Sequence, residues 1–178
     1  YRKVNNAWFE QDMSNPIPAI GFASATSTVI EGNTSPPTHS ITVDRDTSIG
    51  TSTVEYETSD GTAQGIFDYI SSSGTVTWSP GETSKTIDIL IAEDVTIEND
   101  ETFNVTLSNP AHVGSSASIT GTNPHVVTIV NDDLVTLAFA SATSSITEGD
   151  SGTQTHTITV SRTIPNSSVT SEVDYATS

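Results

Sequence analysis

The feature that most constrains this fold is a series of short segments in which apolar and polar residues alternate. In residues 85–92, for example, Ile87, Ile89 and Ile91 occupy every second position. A period of two is the pattern of a β-strand with one buried face, and no segment of helical length and period competes with it. We predict seven strands, the first of them split, at residues 20–29, 38–45, 51–58, 74–79, 85–92, 101–108 and 125–131.

Turn-forming residues separate these segments, among them Gly32-Asn33, Asp60-Gly61 and Asn109-Pro110. Seven short strands joined by such turns predict an all-β fold, an immunoglobulin-like two-sheet antiparallel β-sandwich of about seven strands. We interpret Asp60-Gly61-Thr62-Ala63 as a turn in which Asp60 accepts backbone hydrogen bonds and Gly61 takes a positive φ.

The chain also repeats itself with an offset of 117 residues. Residues 22–27, Phe-Ala-Ser-Ala-Thr-Ser, return at 139–144, and Ile-Thr-Val at 41–43 returns at 158–160. His39 returns as His156 at one strand position, so we interpret both as structural rather than metal-binding. A repeat of this length predicts sandwiches in tandem. We therefore assign residues 19–133 to a complete sandwich and 134–178 to the first three strands of a second, incomplete one, completed either by further chain or by another subunit.

Residues 1–18 differ in composition from the rest of the chain and precede the first predicted strand. Residues 1–8 predict a hairpin that turns at Asn5-Asn6, and residues 15–18, Asn-Pro-Ile-Pro, predict a linker. We interpret residues 1–18 as an N-terminal arm or linker, which is either an interdomain tail or the end of a preceding β-module.

Charge and composition exclude several classes of protein. Lys plus Arg number 5 against 22 Asp plus Glu, a formal charge of −17, so nucleic acid and anionic membranes are disfavoured as partners. The absence of cysteine excludes disulfides, thiolate zinc sites and cysteine nucleophiles. No apolar run approaches the roughly 20 residues that would insert into a membrane as a helix. Ser, Thr and Asn supply most of the polar surface, which suits a secreted β-protein.

An acidic loop is the most distinctive local feature. Five carboxylates fall between residues 93 and 101, and hard oxygen donors with few His and no Cys favour calcium over zinc or copper. Antiparallel sandwiches bring strand ends together, so the acids at 98 and 101 are expected near those at 132 and 133. The alternative is a solvated loop in an acidic protein.

Several longer motifs resemble those of the Calx-beta family, the domain of sodium/calcium exchangers, integrin β4 and many bacterial surface proteins. Asp-Gly-Thr-Ala followed by Asp-Tyr and then Pro-Gly-Glu-Thr is the most specific combination. In order along the chain, the matching segments are residues 30–32, 54–63, 67–69, 74–83, 100–103, 107–110 and 127–133.

This resemblance implies a sandwich whose tip gathers calcium ligands from four places along the chain. Asn131 stands where calcium-rich members have a further Asp, and Glu93 where they often have Asp, so fewer ions or weaker binding are expected. The implied ligands are Glu31, Asp68, Glu93, Asp94, Glu98, Glu101, Asp132 and Asp133.

We predict a calcium-binding structural or adhesive module of a larger extracellular repeat protein, with calcium rigidifying the domain junction. One alternative is a calcium-independent fibre or virion subunit assembled by strand exchange between identical subunits. Another is an adhesin module that binds a cell-surface protein or glycan. We predict no enzyme, because no Ser-His-Asp arrangement, P-loop or dinucleotide motif is present and the few aromatics are placed as core. We expect an extracellular or cell-surface location, with a virion as the alternative.

Overall fold

The computed structural model describes residues 17–163 and 170–177 in full, together with the backbone of the strands Arg2–Val4 (β1) and Ala7–Phe9 (β2). β1 and β2 pair antiparallel, which confirms the predicted hairpin, while its Asn5-Asn6 turn and residues 15–16 of the predicted linker lie outside the described residues. Within the described part of the chain, no helix is long and apolar enough to cross a membrane.

Ten strands between residues 19 and 130 form two sheets. In chain order they are Ala19–Phe22 (β3), Thr26–Ile30 (β4), Thr38–Arg45 (β5), Ser52–Asp60 (β6), Ser73–Trp78 (β7), Ser84–Leu90 (β8), Glu101–His112 (β9), Ser115–Ser116 (β10), Ser118–Ile119 (β11) and His125–Val130 (β12). One sheet has the order β4-β12-β9-β6-β7, with β10 on β9, and the other has the order β11-β3-β5-β8.

The core lies between these two sheets. The alternating residues of β8 face inward, and Ile87 and Ile89 are fully or almost fully buried. From the other sheet, Trp78, Phe103 and Val127 are completely buried. The strand periodicity therefore identifies the buried faces correctly, and the predicted two-sheet β-sandwich is confirmed.

The first strand is split, as predicted, and the split decides how the sandwich is paired. β3 joins β5 antiparallel in one sheet, whereas β4 crosses to the other sheet and runs parallel to β12, with Ile30 opposite Val130. A second parallel pair joins β11 to β3. The sandwich is thus not purely antiparallel. Because parallel strands end at the same edge, the residues that follow β4 and β12 emerge side by side.

Two local predictions are wrong. The sequence predicts a turn at Asn109-Pro110, but β9 continues through these residues, which form a bulge opposite the register shift between Thr53 and Glu55. Asn109 adopts a φ of 48° there. Gly61 does not take a positive φ; it is required because an added Cβ would lie 2.3 Å from the Thr102 carbonyl oxygen. The Asp60 part of that interpretation is confirmed, since its carboxylate accepts a hydrogen bond from the Gly65 amide at 2.8 Å.

The second copy of the repeat begins with the same pairing as the first. Strands Thr136–Phe139 (β13) and Val160–Thr163 (β14) pair antiparallel, with Leu137 opposite Arg162. Ile20 and Arg45, their counterparts 117 residues earlier, are opposite one another in β3 and β5. Residues 170–177, where the third strand of this copy is predicted, contain no strand. The tandem arrangement of two sandwiches remains a prediction.

Candidate metal centre

The strand ends gather acidic residues at one end of the sandwich. Glu31 follows β4 and Asp132 follows the neighbouring parallel strand β12. Glu101 opens β9, opposite Ile129 of β12. The topology therefore brings together acids that are about 100 residues apart in the chain.

The loop between β6 and β7 brings Asp68 to the same end. The Ala92 amide donates to the Asp68 carbonyl oxygen at 3.0 Å, which ties this loop to the chain leaving β8. The Asp68 carboxylate accepts a hydrogen bond from the Gln64 amide at 2.6 Å. Asp68 is consequently fixed beside the start of the acidic loop.

Asp60 and Tyr69 fix the position of the loop between β6 and β7. The Tyr69 hydroxyl donates to the Asp60 carboxylate at 2.6 Å, and its buried ring stacks on Phe103 with centroids 4.2 Å apart. These hydrogen bonds from Tyr69 and from the Gly65 amide lower the pKa of Asp60. Asp60 is therefore a structural carboxylate that positions the Asp68 loop.

In the part of the chain that the structure describes, two groups of carboxylates are close enough to share a cation. Glu31, Asp94 and Glu98 form one, and Asp68, Glu98 and Glu101 form the other; within each group the ligand oxygens lie within 4.8 Å of one another. Glu98 belongs to both groups. The two groups therefore adjoin one another through the Glu98 carboxylate.

The residues after β12 are tied to the first group. The Gly32 amide donates to the Asp132 carboxylate at 3.1 Å. In the amide orientation of Asn33 that satisfies both of its side-chain atoms, the side-chain nitrogen donates to the Asp94 carbonyl oxygen and to the Asp133 carboxylate, both at 2.6 Å. These contacts keep the 131–133 segment against the loops that carry Glu31 and Asp94.

Burial, together with crowding of negative charge, raises the pKa of several of these acids. Burial, followed by repulsion from Asp94 and Glu98, raises the pKa of Glu31 to about 7. The pKa of Glu101 rises to about 7 because of burial and a hydrogen bond with Asp68. The pKa values of Glu98 and Asp133 are raised mainly by burial, and Asp94 adds repulsion to both. A bound cation would relieve both the repulsion and the cost of burial.

Three oxygen atoms at this end are buried without a hydrogen-bond partner among the described residues: Glu93 Oε2, Asn131 Oδ1 and Asp133 Oδ2. The side-chain nitrogen of Asn131 donates to the Asp133 carbonyl oxygen at 3.3 Å, so the side-chain oxygen of Asn131 is the atom without a partner. Buried polar atoms are usually satisfied, and a cation that prefers oxygen ligands would satisfy these. The donor set therefore fits calcium.

The structure brings Glu31, Asp68, Asp94, Glu98 and Glu101 into the two groups. Glu93, Asp132 and Asp133 lie outside them, although Asp132 and Asp133 both raise the pKa of Glu31 by repulsion. The role of each residue as a ligand remains a prediction. The ligands predicted from the sequence did not include Asn131, because an amide replaces the carboxylate expected there. Its position next to Asp132 is the sequence feature that would have pointed to it.

The two repeated histidines make the same contact in each copy. Ser27 Oγ lies 2.7 Å from His39 Nε2, and Ser144 Oγ lies 2.7 Å from His156 Nε2. Ser27 Oγ is also 2.7 Å from His125 Nε2, so it joins β5 to β12 across the two sheets. These contacts agree with the structural role predicted for both residues.

Comparison with known proteins gives a consistent result. A family model described as the Calx-beta domain matches residues 14–134. Sodium/calcium exchanger 1 of Bos taurus is 37% identical over 94 residues, covering 45% of this chain and 10% of the exchanger. The chain thus spans about a tenth of the length of that relative.

Solved structures agree with the family model. The apo-form Calx CBD1 domain is 28% identical with a TM-score of 0.60, covering 66% of this chain and 100% of that domain. The calcium binding domain CBD12 of CALX1.1 is 29% identical with a TM-score of 0.57, covering 73% of this chain and 53% of that structure. With a family match over more than half of its length and a sandwich of the same architecture, the chain belongs to the Calx-beta domain family.

Proposed function

We propose that residues 19–133 form a calcium-binding module in which at least two ions are held at the acidic end of the sandwich. The observation that carries this proposal is the pair of carboxylate groups joined by Glu98. Hard oxygen ligands at this spacing suit calcium, and two ions sharing a carboxylate would offset the repulsion that raises the pKa values of Glu31 and Glu101.

The similarity to solved calcium binding domains supports this proposal. The three unpartnered oxygens of Glu93, Asn131 and Asp133 support it independently, because their burial is costly without a cation. The described side chains at this site are carboxylates and amides, and backbone hydrogen bonds fix several of them. Such an arrangement suits a site that binds an ion.

A melting experiment tests the proposal. Calcium at about 100 times its dissociation constant should raise the free energy of unfolding by about 2.7 kcal/mol for each bound ion, relative to the same protein in EDTA. Glu57→Gln, which removes an exposed acid on β6, is the matched control and should leave that increase unchanged. A melting temperature that is the same in calcium and in EDTA would contradict the proposal.

We further propose that calcium restricts the angle between the sandwich and the segment that follows it. Asp132 and Asp133 directly precede Leu134, and β13 begins only two residues later. A cation held by the 131–133 segment would fix the point from which the second copy of the repeat departs. Such a role suits a structural spacer or adhesive module in a larger repeat protein.

Spin labels can measure this restriction, because the chain contains no cysteine. Labels at Glu57→Cys and Ser161→Cys should show a distance distribution that narrows when calcium is added. A pair within the sandwich, Glu57→Cys and Ser48→Cys, should keep its width. Asp132→Ala with Asp133→Ala should abolish the narrowing, and a distribution that calcium does not change would refute junction rigidification.

The wider setting of the module remains a proposal. The comparisons name sodium/calcium exchangers, which lend no support to an extracellular or virion location. The calcium proposal requires neither location, since the carboxylate groups and buried oxygens that carry it lie within residues 19–133.

A further inference from the structure

A buried histidine anchors the crossover between the two halves of the split first strand. His125, the first residue of β12, is 2% exposed, and its Nδ1 lies 2.8 Å from the carbonyl oxygen of Ser24 in that crossover. The ring of Phe22, the last residue of β3, lies beside the imidazole with centroids 5.1 Å apart. The path of the chain from β3 to β4 is therefore tied to β12 by this one side chain.

The contacts of His125 fix where its protons lie. A carbonyl oxygen only accepts hydrogen bonds, so Nδ1 of His125 carries a proton and Nε2 of the neutral ring is an acceptor. Ser27 Oγ, 2.7 Å from that Nε2, must then donate its single proton to His125. His39 Nε2, also 2.7 Å from Ser27 Oγ, must donate to the serine. All of these hydrogen bonds are satisfied together only while His125 is neutral.

Apolar side chains lie opposite both rings on the neighbouring strands. Val105 of β9 is opposite His125 and Ile89 of β8 is opposite His39, and both are fully buried. Burial, followed by repulsion from His125, lowers the pKa of His39 from its usual value of 6.5. The surroundings thus disfavour a positive charge between β5 and β12.

The charged and titratable residues of the strands packed around the two rings lie elsewhere. β3 and β4 contain none. Asp88 of β8 accepts a hydrogen bond from Ser40 on the exposed face of the sheet. The others lie further along their strands from the positions opposite the rings: Asp44 and Arg45 of β5, Lys85 of β8, and Glu101 and His112 of β9. Among the described residues of these strands, none is placed to offset a charge on His125.

We propose that His125 is an acid-sensitive lock on β4, which separates from the sandwich when Nε2 of His125 gains a proton. Protonation converts Nε2 from an acceptor into a donor, so Ser27 Oγ then faces two donors and its own proton loses its acceptor. β4 is an edge strand that pairs with β12 alone, which makes it the element most easily released. Because β4 leads directly into Glu31, its release would also displace that carboxylate; this consequence, unlike the lock itself, rests on the proposed calcium site.

Nitrogen-15 NMR of the histidine rings tests the proton assignment on the full chain in EDTA. At neutral pH the neutral ring of His125 should carry its proton on Nδ1, whereas His39 should carry one on Nε2. A proton on Nε2 of His125 would overturn the proposal.

Hydrogen exchange of the β4 amides tests the lock, again in EDTA and corrected for the intrinsic exchange rate. Because the folded surroundings favour neutral rings, the protection of β4 should be complete above the usual histidine pKa of 6.5 and lost below it. Between pH 7 and pH 5 the open fraction of β4 should rise by about tenfold or more, whereas β6 should stay protected.

Three variants locate the effect. His125→Asn keeps a side-chain N–H for Ser24 but cannot titrate, so the opening of β4 should no longer depend on pH. Ser27→Ala, a smaller change, should open β4 at pH 7 about as far as acid opens the wild type. The matched control is His156→Gln, which removes the exposed histidine that contacts Ser144 in the second copy and should behave as the wild type.

Two results would overturn the lock: a pH dependence that His125→Asn retains, or a β4 that stays closed in Ser27→Ala. An open fraction of wild-type β4 that does not change with pH would overturn it as well. Since these measurements are made in EDTA, they decide the lock separately from calcium binding, and a failure to bind calcium would contradict the proposed function alone.

Discussion

The two ends of the sandwich gather oxygen atoms in different ways. At the end away from the acidic loop, the guanidinium of Arg45, which is 3% exposed, donates to the carbonyl oxygens of Glu82, Gly50 and Ser79 at 2.8, 3.0 and 2.9 Å. It also donates to Ser52 Oγ at 2.8 Å. The chain itself therefore supplies the cation that joins these loops.

The acidic end brings together oxygen atoms from the loops that carry Glu31, Asp68, Asp94 and Asp132, but no Lys or Arg side chain among the described hydrogen bonds donates to them. Glu31 is as buried as Arg45, at 4% exposed, and its pKa is raised to about 7. One end thus carries its own cation, whereas the other, under the proposed function, takes its cation from solution. The difference between them explains why only one end should respond to calcium.

The largest effect is expected at the Arg45 end. Arg45→Met leaves several buried carbonyls without a donor, so we expect a loss of about 3 kcal/mol or more in the free energy of unfolding, measured by urea denaturation. The loss should be the same in calcium and in EDTA.

The matched control for Arg45 is Lys85→Met. Lys85 bonds to Glu82 at 2.7 Å at the same end of the sandwich, but about a third of its side chain is exposed. Its replacement should cost only about 0–1 kcal/mol. If calcium restored the stability of Arg45→Met, the two ends would not be independent.

The acidic end should show an inverted pH dependence in EDTA. Because the folded-state pKa values of Glu31 and Glu101, about 7, exceed the usual value of 4.5, the folded protein binds more protons than the unfolded chain between these values. The free energy of unfolding should therefore rise by about 1–2 kcal/mol when the pH is lowered from 8 to 6. It should return to its original value when the pH is raised again.

Calcium should reverse this trend, since protons compete with the ion for the same oxygens. The measurement is a set of thermal melts across this pH range, with and without calcium. In EDTA, the stability of Glu31→Gln with Glu101→Gln should depend less on pH than that of the wild type in the same range. Stability of the wild type that increases with pH in EDTA would contradict the raised pKa values.

The smallest effect is expected at Asn131. Asn131→Asp adds a charge where an oxygen is already buried without a partner, so calcium should bind about tenfold more tightly and the calcium-free protein should lose about 1 kcal/mol. Asn99→Asp adds the same charge to an exposed position of the acidic loop and serves as the control. Calorimetric titration measures both affinities. Equal affinities for the two variants would show that the Asn131 oxygen is not a ligand.

The sequence was sufficient to predict the main strands and their buried faces, but not the short strands, the bulge or the close approach of Gly61. Alternation in β5, β8 and β12 identifies the buried face because the side-chain period of a strand is fixed. The two-residue strands β10 and β11 are too short to show any period. The bulge at Asn109 and the close approach of Gly61 to Thr102 both depend on a neighbouring strand, which local composition does not reveal.

The site was predictable as a cluster but not as two groups. Glu31 and Asp132 meet because they follow parallel strands, a consequence of the split first strand. The position of Glu98 between the two groups depends instead on the path of residues 91–100, which has no periodic pattern. The unpartnered oxygen of Asn131 became visible only when its amide contacts were known.

Calorimetric titration of the calcium-free chain, comparing wild type with Glu98→Gln and Glu57→Gln, tests the central claim most directly. Because Glu98 is common to both carboxylate groups, the account predicts that wild type and Glu57→Gln bind at least two calcium ions. It predicts that Glu98→Gln weakens both, by tenfold or more. Binding of two ions that Glu98→Gln leaves unchanged, or no calcium binding by the wild type, would contradict it.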